Sequence, residues 1–153
     1  VKIIQPLIVG IFSTLVVSIA AAHVTVWPRE AQAGAYEKYV VRVPTEGKVA
    51  TTSIELEMPA EATFISVQAA VGHTYEIKKR DGRVVGVVWS MKINPGEFAE
   101  FAFMARNPKQ GKLVWKATQR FADGTSTQWS GPAGDKHPAS VTNLVAGGAG
   151  HSH

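Results

Sequence analysis

The chain contains no cysteine. That excludes disulfides, thiolate metal centres and cysteine nucleophiles, so an exported form has to be held together by packing alone. Dense blocks of one charge are also missing. The formal net charge is +4, and Lys and Arg alternate with Glu and Asp along the sequence. The one basic triplet, Lys78, Lys79 and Arg80, stands beside a turn and reads as a solvated edge, so no nucleic-acid partner is expected. There is no G-x-S-x-G elbow, no H-E-x-x-H, no Gly-rich phosphate loop opening a helix and no spaced carboxylate pair in an apolar setting. Ser, His and Asp occur, but nothing in their order or setting picks out a triad, so the expectation is not an enzyme.

Long apolar runs are confined to the beginning. Lys2 is the sole charge before Arg29, and IIQPLIVGIFSTLVVSIA from Ile3 to Ala20 has the length of a secretory h-region. Ala20 and Ala22 fit the A-x-A cleavage pattern, and polarity begins to alternate directly after them. Residues 1–22 therefore read as a signal peptide. The alternative is an uncleaved anchor, because a spanning helix needs only about 20 apolar residues. Cleavage would place the protein in the periplasm or another extracytoplasmic space, with no stable membrane insertion.

The remaining length of about 130 residues suits one domain with a single core. Its periodicity is two, not 3.6. YEKYVVRV from Tyr36, TSIELEM from Thr52, TFISVQ from Thr63, TYEIKKR from Thr74, RVVGVVWSM from Arg83, EFAEFAFMAR from Glu97, KLVWKATQRF from Lys112 and TSTQW from Thr125 alternate or carry β-branched and aromatic residues. PTEG, MPAEA, RDG, NPGE, NPKQG and ADG separate them as turns, and RDG predicts a tight hairpin in which Gly82 takes a positive φ. Short strands about ten residues apart predict an all-β fold over residues 23–145, an antiparallel β-sandwich of immunoglobulin-like type. Residues 146–153, ending GGAGHSH, carry too little apolar surface to pack and read as a flexible Gly/His tail.

Cleavage after Ala22 has a chemical consequence. His23 would become the first residue, and its α-amine and ring Nδ1 together close a six-membered chelate on one metal ion. Imidazole and amine nitrogens favour Cu(II), which tops the divalent affinity series. The bland alternative is an exposed histidine that binds nothing, since any residue can follow a cleavage site.

Several segments together resemble the YcnI-like (DUF1775) family of exported bacterial proteins. They are AHVTVWPREAQAGAYEKYVVRVPTEGKVATTSIELEMP from Ala22 to Pro59, INPGEFAEFAF from Ile93 to Phe103, LVWKATQRFADGTSTQWSGP from Leu113 to Pro132, and HPASVTNL from His137. The resemblance implies a copper binder with a single-histidine brace. An N-terminal histidine, a carboxylate and an adjacent tryptophan fall on His23, on Glu46 of VPTE and on Trp129 of STQWSGP. Glu46 in its turn has the alternative of simply solvating that turn. Trp129 reads either as a rim aromatic or as a lid over the metal, with Trp27, nearer in sequence, as its rival. Trp89 and Trp115, within apolar strands, read as core.

Two departures from the family pattern stand out. Gly72-His73 occupies a position where relatives read Gly-Trp, so His73 is either an auxiliary ligand or a surface substitution. The chain ends at His151-Ser152-His153, which either capture metal weakly or are incidental. His137, before Pro138, reads as a turn residue. Met58, Met91 and Met104 are dispersed, so the soft sulfur suited to Cu(I) is missing and Cu(II) is expected. Protons compete for both nitrogens of the brace, so affinity falls on acidification. These readings converge on a copper chaperone or sequestering protein, with periplasmic copper-handling proteins as the partners the resemblance implies. A non-metal envelope interaction module and an oxidase-like copper protein are the alternatives, and a lidding Trp129 opposes the latter.

Overall fold

The computed structural model describes residues 23–147. The leader expected over residues 1–22, and His151 and His153 of the tail, lie outside the described residues. The described chain folds as strands without a helix: β1 (Thr25–Trp27), β2 (Glu30–Gln32), β3 (Tyr36–Pro44), β4 (Thr51–Glu57), β5 (Thr63–Val67), β6 (Thr74–Arg80), β7 (Arg83–Ile93), β8 (Phe98–Arg106), β9 (Lys112–Trp115), β10 (Ala117–Phe121), β11 (Ser126–Trp129) and β12 (Ser140–Val145).

They form sheets ordered β1-β3-β8-β5, β11-β10-β4-β7-β6 and β2-β12-β9. Every pairing is antiparallel except that of β12 with β2. The first two sheets face each other as a sandwich, and Trp89 of β7 stacks on Phe101 of β8 across the gap with ring centroids 5.5 Å apart. The expected fold class is the one observed.

The period of two is what builds this core. Tyr39, Val41 and Val43 on β3, Ile54 and Leu56 on β4, and Phe101, Phe103 and Ala105 on β8 point inward, and all are buried. At their centre Trp115 packs on Tyr39 at 4.8 Å and on Phe103 at 5.5 Å. Both polar tips in that cluster are satisfied. Tyr39 donates its hydroxyl to Asn107 Oδ1 at 2.7 Å, and Trp115 Nε1 donates to Thr142 Oγ1 at 3.0 Å. Burial pushes the Tyr39 phenol up to about 12; the nearby charge of Glu37 adds to the rise and the hydrogen bond to Asn107 opposes it.

The structure differs from the sequence pattern in two places. KLVWKATQRF reads as one strand but breaks at Lys116 into β9, which pairs with β12, and β10, which pairs with β4. Leu113, Trp115, Ala117 and Gln119 are all buried, so the alternation runs on unbroken while the chain changes sheets. β1 and β2, three residues each, are too short to show a period, and β12 (Ser140–Val145) is a strand that the sequence pattern does not pick out although burial alternates over its first residues. The RDG hairpin forms as expected, with Arg80 opposite Arg83, and both loop residues, Asp81 (φ 51°) and Gly82 (φ 76°), adopt the left-handed conformation.

The sheet order fixes where function can sit. β1 and β11 lie at one lateral edge of the sandwich, and β5 and β6 at the other.

Candidate metal centre

His23 stands just ahead of β1, whose register pairs Thr25 with Arg42 and Trp27 with Val40 of β3. That register carries His23 toward Pro44, where β3 ends and the turn bearing Glu46 begins. Trp129 ends β11, opposite Ala117 of β10. The two edge strands of the facing sheets thus deliver an imidazole and an indole to the same end, with ring centroids 5.5 Å apart and planes inclined at 53°.

A buried hydrogen-bond chain fixes the indole relative to the turn. Trp129 Nε1 donates to Gln119 Oε1 at 3.1 Å, and Gln119 Nε2 donates to Pro44 O at 2.9 Å and to Thr51 Oγ1 at 2.7 Å. The hydroxyls of Thr45 and Thr51 share a further bond of 2.7 Å. The chain bridges β11, β10 and both ends of the turn from β3 to β4. A buried amide that meets partners on three elements holds them in one arrangement, because breaking any bond leaves a polar group stranded.

Two clefts flank the imidazole and indole, and Pro44 lines both. His23 lines one with Trp27, Arg29, Arg42 and Phe98. Glu46 and Trp129 line the other with Lys48, Lys136 and His137. Glu46 is exposed on its turn, while Trp129 is 8% exposed and belongs to the core, so its indole is both a rim and a core group. Trp27, 43% exposed, also borders His23 but donates its Nε1 to Thr25 Oγ1 at 3.1 Å on its own strand.

His73 lies elsewhere. It sits between β5 and β6 at the opposite edge, with its ring edge-on to Phe101 at 5.1 Å and Nδ1 at 3.1 Å from Val71 O. It lines neither cleft.

His137, which reads as a mere turn residue in the sequence, packs at 5.1 Å and 88° on Trp129, giving the indole an imidazole neighbour besides His23. The loop that delivers it is closed by His137 N donating to Asp135 Oδ1 at 2.8 Å and by Ser130 N and Gly131 N donating to His137 O. A Cβ at Gly131 would meet the Asp135 carboxyl carbon at 2.6 Å, so any larger residue there would have to displace the Asp135 side chain that closes the loop. No sequence signal announces His137. Gln119 had one, a polar residue on the inward register of β10.

The donors here are two imidazoles, His23 in one cleft and His137 in the other, a carboxylate and backbone groups, and no methionine lines either cleft. Among the described residues no three His, Cys, Asp or Glu side chains converge closely enough to hold a metal ion. The α-amine that an N-terminal histidine carries is a donor beyond these side chains.

A family model described as a domain of unknown function, DUF1775, matches residues 23–144. The chain belongs to the DUF1775 family. It is similar to the copper-binding protein CutI of Bacillus subtilis (strain 168), with 35% identity over 131 residues, covering 83% of this chain and 64% of that relative. Among solved structures it is similar to an uncharacterized Nocardia farcinica protein with an immunoglobulin-like fold. That likeness has a TM-score of 0.70 and 26% identity over 80% of this chain and 97% of the other. This DUF1775 chain is thus an immunoglobulin-like sandwich with two imidazoles, those of His23 and His137, packed on Trp129 at one edge.

Proposed function

We propose that this DUF1775 chain is an exported protein, acting in the periplasm or another extracytoplasmic space, that binds one Cu(II) ion as a chaperone or sequestering protein. His23 would hold the ion through its α-amine and imidazole once residues 1–22 are removed, and Glu46 would supply an oxygen donor. Trp129 would cover one side of the site. The observation that carries this reading is the His23 ring against Trp129 at 5.5 Å, with Glu46 lining the cleft that Trp129 also lines. The name of the Bacillus subtilis relative and the start of the family match at residue 23 support it.

Copper is cargo here, and the residues bind and shield it. Nitrogen and carboxylate donors without sulfur suit the cupric state. Gln119 keeps Trp129 and the Glu46 turn in register, and the packed indole keeps water and competing ligands from one side. A covered site is poor ground for oxidase chemistry, which needs an open coordination position.

The test compares protein beginning at His23 with protein retaining Ala22, titrated with Cu(II) and followed by tryptophan fluorescence and electron paramagnetic resonance. The added residue converts the amine to an amide, so affinity should drop by about 100-fold or more and the nitrogen hyperfine pattern should change. Equal affinity in the two forms would refute the brace.

A further inference from the structure

The cleft beside His23 has a character that copper binding does not require. Trp27 is 43% exposed and Phe98 is 62% exposed, although large apolar rings gain by being covered. Each has a guanidinium over its face, with Arg29 at 5.1 Å from the Trp27 centroid and Arg42 at 5.7 Å from that of Phe98. Aromatic and arginine side chains are the types that dominate binding energy at protein interfaces. The cleft beyond Trp129 adds Lys48 and Lys136, so four cations and one carboxylate, Glu46, line the two clefts together.

This collar repels a free dication and attracts carboxylates. Arg42 already pairs with Glu100 at 2.8 Å, a carboxylate on that same guanidinium, and both side chains remain nearly half exposed. Such a pair is weak enough to be exchanged. Recognition here must run through side chains. The outer edge of β1 is closed by Ser140, whose hydroxyl accepts from Val26 N at 2.8 Å and donates to Val26 O at 3.3 Å, so no strand can be added.

Resting on the copper reading of His23, we infer that Trp27, Arg29, Arg42 and Phe98 form a docking surface for an acidic protein face, through which copper is exchanged at His23. A small anion would satisfy the guanidiniums but leave both rings wet; an acidic protein face covers both.

The test uses copper-free protein beginning at His23, titrated with a hexaglutamate peptide, a hexaglutamine peptide and free glutamate at matched carboxylate concentration. The indole N–H signals are followed by nuclear magnetic resonance. Hexaglutamate alone should move the Trp27 signal, and the apparent affinity should fall about tenfold or more in Arg29→Gln/Arg42→Gln and on raising the salt. Lys79→Gln/Arg80→Gln, which removes two charges from the hairpin, should leave it unchanged. Equal response to hexaglutamine, equal loss in the hairpin variant, or an equal response to free glutamate would each overturn the acidic-protein surface. Because no copper is present, failure here leaves the copper reading standing, and failure of the copper titration leaves this result standing.

Discussion

Two ring clusters can be set side by side. At the centre of the sandwich Tyr39, Phe103 and Trp115 pack with centroids 4.8 to 5.5 Å apart; at the lateral edge His23, Trp129 and His137 pack at 5.1 to 5.5 Å. Each cluster has a buried tryptophan whose N–H is satisfied, by Thr142 in one and by Gln119 in the other. The packing is the same physics in both. The difference is the chemistry of the outer rings: the central ones offer hydrocarbon and one satisfied phenol, whereas the edge ones are imidazoles beside a cleft that holds a carboxylate. The edge cluster can therefore give up little stability when altered and still lose its chemistry.

The contrast is broken most forcefully at the centre. Trp115→Ala removes a side chain that is 1% exposed and takes its indole donor from Thr142 Oγ1, which keeps its own bond to Pro28 O, so unfolding in denaturant should show a loss of about 3–5 kcal/mol, most of it from the cavity. Copper affinity of the molecules that remain folded should not change, since Trp115 lines neither cleft. A fall in that affinity matching the fall in stability would mean that the two clusters are not separable.

At the edge, Trp129→Phe keeps an aromatic ring between His23 and His137 but removes the donor to Gln119 Oε1. The cost should be about 1–2 kcal/mol in the same unfolding experiment, the penalty of one buried acceptor left without its donor. Copper-dependent quenching should fall far more in this variant than in Trp27→Phe. The reverse order would make Trp27, which also borders His23, the tryptophan nearest the metal.

The comparison also explains what could be read from the sequence. Inward and outward faces of β3, β4 and β8 follow from strict alternation, because a strand exchanges faces with every residue. The same rule puts Gln119 inside with Leu113, Trp115 and Ala117, so the linchpin of the edge cluster was visible as a polar residue in an apolar register. The change of sheet at Lys116 was not, because alternation reports which face is buried and is blind to the neighbouring strand. His137 was hidden for a further reason. Its position comes from hydrogen bonds within the 130–139 loop and a glycine that accommodates Asp135, and neither leaves a periodic trace.

The smallest expected effect sharpens the contrast from outside both clusters, on the β4 and β10 surface. Glu55 accepts from Lys78 Nζ at 2.6 Å and from Arg120 at 2.9 Å. Partial burial works against the charged carboxylate, but the hydrogen bonds and charges of Lys78 and Arg120 outweigh it and hold its pKa below the ordinary glutamate value. A carboxyl depressed on folding adds stability above its unfolded pKa, and that stability is lost as pH falls through the folded value. Both cations are more than 40% exposed, so solvent screening limits the contribution to about 0.5–1 kcal/mol. Glu55→Gln should therefore lower stability by about that amount at neutral pH and flatten the acid limb of the stability profile. Cu(II) affinity at neutral pH should be untouched, because Glu55 lines neither cleft. If Glu55→Gln instead weakened copper binding, the edge cluster would depend on the charge of the sheet behind it, and its chemistry could not be assigned to the His23 and Trp129 neighbourhood alone.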